Sequence, residues 1–270
     1  MHKVRKRELK EILEYTIRLT CRVGDVICRS AHKKKRISYK GAVDLVTQFD
    51  RLSQQMIVSA FVKRYPTHGV LSEENVSRKT AAVCKWIVDP LDGTTNFTHG
   101  VPIWALSIAF EQEGHVVLGV VYDPTRKEMF YALKGDGAFL NKRRIHVSRV
   151  EKLDTALLAT GFPYDIRKSS KNNLDHFNNF AVRAQAVRRL GSAALDLCYT
   201  ACGRFDGYWE IKLSPWDQAA GSLILREAGG TVTDFQNKPF DIYGDEVLGT
   251  NGHIHRQMLK VLSKKRGKDR

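Results

Sequence analysis

Apolar positions recur at helical spacing from the start of the chain. Leu9, Ile12, Leu13, Leu19, Val23, Val26 and Ile27 form one stripe, which predicts an amphipathic helix over residues 7–30. Further on, Thr47 with Asp50 three residues later has the form of a capping box, Asp standing for the usual Glu. A second helix is expected from there to about Arg64, with Phe49, Leu52, Met56 and Ala60 buried, stopping before Tyr65-Pro66. Val70-Leu71 reads as a short strand ending in the adjacent acids Glu73 and Glu74, and Trp86-Ile87-Val88 as a short buried strand. Pro90 has no N–H to give a ladder, so Asp89 is expected at a strand end, with the chain leaving the sheet there. The pattern then becomes a meander, with strands over residues 103–110, 116–122 and 128–133, turns at Glu113-Gly114 and Asp123-Pro124, and a short strand at 144–147.

After about residue 150 strands and helices alternate. Residues 157–164 read as strand and loop, 171–183 as a polar helix and 185–188 as a strand. The small-residue turn Gly191-Ser192-Ala193 opens a helix, 206–210 is a further strand, and Pro215 sits in the first turn of another helix. Consecutive strands predict an antiparallel sheet in residues 1–150, and the alternation predicts an α/β unit in 151–270. No Pro/Ser-rich linker or repeat separates the halves, so they are expected to share an interface.

Composition excludes several classes. At 270 residues and 43% hydrophobic the chain can bury a large core and is not a disordered protein. No apolar run is long enough to span a membrane, and the charged first residues do not resemble a secretory leader, so the chain is expected to be cytoplasmic. Five cysteines without a Cys-x-x-Cys pattern suit packing in a reducing compartment rather than a disulfide frame or a zinc site. A net charge of +15, held largely in the run His32-Lys33-Lys34-Lys35-Arg36 and in residues 264–270, draws in anionic partners without saying which.

The candidate chemistry gathers around Asp89-Pro90-Leu91-Asp92-Gly93-Thr94-Thr95-Asn96. Asp89 and Asp92 aim two carboxylates into one small space, where a hard cation is suited by oxygen donors. Gly93 permits a tight turn, and a helix starting at the capping-type residues after it would point free N–H groups at an anion. Side-by-side carboxylates at Glu73 and Glu74 are a milder sign of a nearby cation.

The stretch from Trp86 to Phe97 resembles the first signature of the inositol monophosphatase family of metal-dependent, lithium-sensitive phosphatases, and Ser214 to Gly221 resembles its second. The likeness extends over residues 8–262, with Ser72 where the family has Gly. It implies a layered α-β-α-β-α sandwich, the sugar phosphatase fold, with a metal site between the halves. It also implies two or three Mg²⁺ ions held by Glu73, Asp89, the Leu91 carbonyl, Asp92 and Asp217, with Asp89 bridging two of them. Glu73 and Thr94 would orient the attacking water, and Gly93 and Thr94 amides would hold the phosphate. Gly191, Ser192, Ala193 and Glu210 would line the substrate pocket, while Lys40, Asp50 and Glu74 support the centre. The activity implied is hydrolysis of inositol 1-phosphate. Fructose-1,6-bisphosphatase, histidinol-phosphate phosphatase and phosphoadenosine-phosphate nucleotidase activities are rivals, since relatives share the ligands. A homodimer is implied, and an RNA- or transcription-complex-binding role is the reading from a different class.

Overall fold

The computed structural model describes residues 4–30, 36–39, 45–74, 76–78 and 82–263. The expectations placed on Lys40, on residues 32–35 of the basic run and on the tail 264–270 lie outside them.

Helix α1 (Lys6–Ser30) buries Ile12, Leu19, Val23 and Ile27, and also Thr16 and Thr20, whose hydroxyls are satisfied by the carbonyls one turn back. The short strands β1 (Ile37–Tyr39) and β2 (Leu45–Thr47) pair antiparallel and lead into α2 (Gln48–Arg64). Its capping box is formed as expected: Thr47 caps the helix while the Asp50 carboxylate takes the Thr47 N–H at 2.7 Å. The buried stripe differs from the expected one. Leu52 is exposed and Met56 and Ala60 are only partly covered, whereas Ser53, Gln54, Ile57 and Phe61 lie inside with Phe49. The two polar residues are admitted because each has a partner elsewhere in the fold.

Strands β3 (Gly69–Ser72) and β4 (Val76–Arg78) precede β5 (Cys84–Asp92), which is buried along its whole length. After the one-and-a-half-turn helix α3 (Thr94–His99) the chain makes the meander β6 (Ala105–Gln112), β7 (His115–Asp123), β8 (Glu128–Leu133), β9 (Gly137–Leu140) and β10 (Arg143–Arg144). The sheet order is β10-β9-β8-β7-β6-β5-β3-β4, antiparallel except where β3 runs parallel to β5. The expected strand at 144–147 is thus only the two residues of β10, paired to β9.

The second sheet is built from β11 (Leu157–Thr160), β12 (Ala186–Arg188) after α4 (Leu174–Ala181), and β13 (Gly207–Ile211) after α5 (Ala193–Ala201). Helix α6 (Pro215–Glu227), strands β14 (Thr231–Thr233) and β15 (Glu246–Thr250), and helix α7 (His255–Leu262) complete the chain. Its order is β12-β11-β13-β15-β14, with β12 and β13 parallel to β11 and the last two strands antiparallel.

Five layers result, an α-β-α-β-α sandwich. Helices α1 and α2 cover the outer face of the large sheet, where the Phe61 ring stacks on Trp86 with centroids 3.8 Å apart. Helices α5 and α6 fill the space between the sheets, and α4 and α7 cover the far face of the small one around Phe180, Trp209 and Met258. Gly119 on β7 permits the closest approach of α6: a Cβ there would stand 2.8 Å from the Ala220 carbonyl oxygen.

Candidate active site

Strand β5 does not end at Asp89. It runs on to Asp92 across a bulge, Asp89 opposite Ser107 and Asp92 opposite Ala105, so that three steps on β5 span two on β6. The missing N–H of Pro90 falls in the bulge, where no ladder bond is lost, and its carbonyl accepts the Ser53 hydroxyl of α2 at 2.7 Å. The bulge turns two carboxylates toward the C-terminal end of the strand. Asp89 Oδ1 accepts the Leu91 N–H at 2.9 Å, and Asp92 Oδ2 accepts the Ser192 hydroxyl at 2.6 Å and the Ala194 N–H at 2.9 Å. Asp92 therefore meets the start of α5, where the free N–H groups of a helix favour negative charge.

Gly93 is the left-handed residue that starts α3 (φ 90°), and no side chain caps this helix. A Cβ at Gly93 would stand 3.0 Å from the Ile103 carbonyl and 3.2 Å from that of Gly191, so glycine lets the two halves close. Asn96 stitches the same seam, its amide donating to Ile103 O at 2.8 Å and Leu190 O at 2.7 Å. Asp217 lies in the first turn of α6 as the second member of a capping box, its Oδ2 taking the Ser214 N–H at 2.7 Å. Glu73 follows β3, its N–H bonded to Val88 O. Ser72 fits without disturbing that strand: its hydroxyl donates to Gln54 Oε1 at 2.5 Å, and Gln54 also holds both the N–H and the carbonyl of Glu74.

Thr94 Oγ1 lies 2.8 Å from Asp50 Oδ1 and 3.0 Å from the Leu91 carbonyl, and both are acceptors, so its lone pairs remain for an incoming donor. Capping alone therefore does not describe Asp50. On the opposite wall Glu210 is buried, takes the Tyr208 hydroxyl on Oε2, and abuts Gly161 so closely that a Cβ there would overlap its carboxylate. It forms no salt bridge with Lys212, which instead bonds Asp165 and Ser169.

These groups line one cleft of about 330 Å³. Burial, then the charges of Glu73, Asp92 and Asp217, push the Asp89 carboxyl well above the usual range, and burial with Asp92 and Glu73 does the same to Asp217. Burial pushes Asp92 up to about 6 against the pull of its hydrogen bonds, and Glu210 up to about 7. Among the described residues no three acids, histidines or cysteines are drawn together tightly enough to hold a metal as they stand. The four acids nevertheless act on one another electrostatically, and the tethers at Asp89 Oδ1 and Asp217 Oδ2 leave each of those carboxyls an oxygen for a cation. Buried, mutually repelling oxygen donors without His or Cys fit a hard divalent ion. A shallower depression of about 450 Å³ on α1, between Ile17 and Arg29, holds a single acid, Asp25, already bonded by Tyr122.

A pH dependence follows. Asp92 and Glu210 bind protons more tightly in the folded chain than in the unfolded one, so between about pH 4 and 7 they make stability fall as pH rises. Half-buried His68 and His176 and buried His255, whose affinity for protons burial lowers, act in the opposite sense. The contribution of Glu210 is read as a difference: in chelator, the Tm of Glu210→Gln should gain on wild type as pH rises from 5 to 8. Parallel profiles would show that Glu210 titrates like an exposed acid.

Every expected site residue among those described lies in or against this cleft: Glu73, Asp89, Leu91, Asp92, Gly93, Thr94, Gly191, Ser192, Ala193, Glu210 and Asp217 line it, with Asp50 and Glu74 behind. Sequence reasoning missed three features of the lining, namely Asp196, Arg189 as a pocket cation, and the segment from Gly161 to Tyr164. Asp196 had a signal, since it stands four residues after Ser192 on one helix face.

The profile of the inositol monophosphatase family matches residues 8–266. An inositol-1-monophosphatase of Synechocystis sp. is 42% identical over 259 residues, 95% of this chain and 90% of its own. The Nus factor SuhB of Pseudomonas aeruginosa is 44% identical over 263 residues, 94% of this chain and 96% of its own. Among solved structures, an IMPase/NADP phosphatase complexed with Mg²⁺ and phosphate superposes with a TM-score of 0.84 at 26% identity, covering 97% of this chain and 99% of its own.

Proposed function

The chain belongs to the inositol monophosphatase family and is a phosphatase, and from that premise we propose that it hydrolyses a small polyol phosphate, inositol 1-phosphate first among candidates, with Mg²⁺ as cofactor. The observation that carries this reading is the convergence in one cleft of four acids, Glu73, Asp89, Asp92 and Asp217, with the Leu91 carbonyl and the uncapped start of α3. The related structure complexed with Mg²⁺ and phosphate supports the choice of ion. When bound, Mg²⁺ ions would polarise the phosphoryl oxygens, acidify a water and neutralise the leaving alkoxide. Glu73, Asp89, Leu91 O, Asp92 and Asp217 would hold them, the last two pre-positioned by the helix starts of α5 and α6.

The remaining roles belong to the chain's own groups. Thr94, with Asp50 behind it, accepts a proton-bearing water at Oγ1 beside Glu73 and so fixes its line of approach. The N–H groups of Gly93 and Thr94 take the phosphate oxygens at the start of α3. Glu210 and the Gly191-Ser192-Ala193 turn receive the polyol. A phosphate-release screen over sugar and inositol phosphates, with and without Mg²⁺, tests the whole reading. Release that is indifferent to chelator would sink the metal assignment, and a preference for a nucleotide or a bisphosphate would replace the substrate. Li⁺ in excess over Mg²⁺ should suppress turnover, as the family resemblance implies, and undiminished activity there would separate this chain from its lithium-sensitive relatives.

A second reading is favoured by one pair of observations, the net charge of +15 and the 44% identity to a relative named as a Nus factor. It holds that the chain also joins a nucleic-acid complex. Asp217→Asn separates the two readings: selective RNA binding in a band-shift at physiological salt should survive the loss of turnover if this role exists.

A further inference from the structure

The cleft contains a carboxylate that neither the metal reading nor the fold uses. Asp196 lies on the pocket face of α5, one turn after Ser192, and is 1% exposed. Its backbone is fully engaged in the helix, the N–H on Ser192 O and the carbonyl accepting the Thr200 hydroxyl. Its side chain is not, for Oδ1 has no hydrogen-bond partner. Burial, then the charges of Glu210 and Asp92, push this carboxyl well above its usual range, and only Arg189 pulls the other way. A buried acid with an unmatched oxygen costs stability and requires a donor from somewhere. Among the described residues the protein supplies none, and Asp196 lines the cleft.

The chemistry of that donor is narrowed by the neighbours. The groups around Asp196 are Glu210, fixed by Tyr208, and the Arg189 guanidinium, which bonds no side chain among the described residues and lines the same cleft. A cationic amine would have to share the space with Arg189, whereas a neutral hydroxyl would not. The Glu210 carboxylate itself packs on Gly161, where a Cβ would collide with it, so glycine lets Glu210 take its place in the wall of the cleft. We propose that Asp196 accepts a hydrogen bond from a second hydroxyl of the leaving group, so that Glu210 and Asp196 together read a diol. This inference rests on the polyol-phosphate reading above and deepens it, assigning to Asp196 the selectivity that Glu210 alone would provide for only one hydroxyl.

The test compares wild type with Asp196→Leu and Asp196→Asn in two measurements. The first is the Tm of metal-free protein in chelator. Both variants should melt at or above wild type, since each removes an unmatched buried acid, and a marked fall would show that Asp196 serves the fold and would overturn the proposal. The second is the ratio of kcat/KM for inositol 1-phosphate to that for 4-nitrophenyl phosphate, which offers no hydroxyl. That ratio should fall about tenfold to a hundredfold in Asp196→Leu, the loss expected when a buried hydroxyl is left without its hydrogen-bond partner. It should fall less in Asp196→Asn, which keeps a carbonyl acceptor. A wild-type enzyme that prefers the polyol ester while Asp196→Leu keeps the same ratio overturns this inference alone. A wild-type enzyme that cleaves 4-nitrophenyl phosphate but no polyol phosphate overturns the substrate reading, and this inference falls with it.

Discussion

Asp89→Asn and Asp217→Asn should each reduce phosphate release by on the order of a thousandfold or more, because a bound ion contributes several kcal/mol to the transition state and each 1.36 kcal/mol is a factor of ten. The companion expectation concerns stability and runs the other way. Both carboxyls are buried and pushed up by burial and by the charges of neighbouring acids, so the neutral amide relieves repulsion in the metal-free protein. The variants should therefore melt no lower than wild type in chelator. Mg²⁺ should raise the wild-type Tm, since a ligand that binds only the folded chain stabilises it, and should raise the Tm of the variants far less. Asp217→Asn keeps the side-chain oxygen that takes the Ser214 N–H, so the cap of α6 survives the change. A variant that retains wild-type turnover would remove that residue from the metal site. One that loses turnover but keeps the full Mg²⁺ shift would place the ion elsewhere.

The acids fall within short stretches with their own local logic, and the family resemblance is what implied their gathering at one centre. A capping box announced Asp50, a Pro in a first turn announced the helix carrying Asp217, and a buried strand led to Asp89. The sequence reading erred where the deciding partner is distant. Pro90 seemed to end its strand because a ladder needs its N–H, but the bulge opposite Ser107 and Ala105 places it where no bond is called for. Leu52 seemed buried because it is apolar, whereas Ser53 and Gln54 occupy the interior by bonding Pro90 and Glu74, 37 and 20 residues away. Asp50 reads locally as a cap, and the supporting role that the family resemblance implies for it rests on Thr94, 44 residues on. Strands β14 and β15 have no counterpart among the expected elements.

The candidate ligands come from both sides of one seam. Asp92 comes from the large sheet, yet its carboxylate is positioned by Ser192 and Ala194 at the start of α5. Asn96 joins Ile103 to Leu190 across the same line, and Gly93 allows the contact by lacking a side chain. Asp92 is thus oriented by the start of α5, while Asp89 is held within its own strand and Asp217 comes from the start of α6, so a shift of one side against the other would move the candidate ligands relative to each other.

Glu210→Gln should lower kcat/KM for inositol 1-phosphate relative to 4-nitrophenyl phosphate by about ten- to a hundredfold, the range for hydrogen bonds to a charged acceptor. The geometry favours a substrate role over a structural one. Tyr208 occupies Oε2, no salt bridge among the described residues claims the carboxylate, and Glu210 lines the cleft with its carboxylate packed on Gly161. A glutamine keeps the carbonyl for Tyr208 but brings an N–H₂ where acceptor lone pairs are needed, so it opposes a hydroxyl donor instead of receiving it. Gly161→Ala provides an independent check. Its φ is not in the left-handed region, so the backbone tolerates alanine, but the new methyl would collide with Glu210 and turn the carboxylate out of place. The two variants should show the same substrate-selective loss, and combining them should cost little more than either alone, as expected for residues acting through one group. Equal losses on both esters would assign Glu210 to the metal centre or the fold, and fully additive losses would show that Gly161 acts on something other than Glu210.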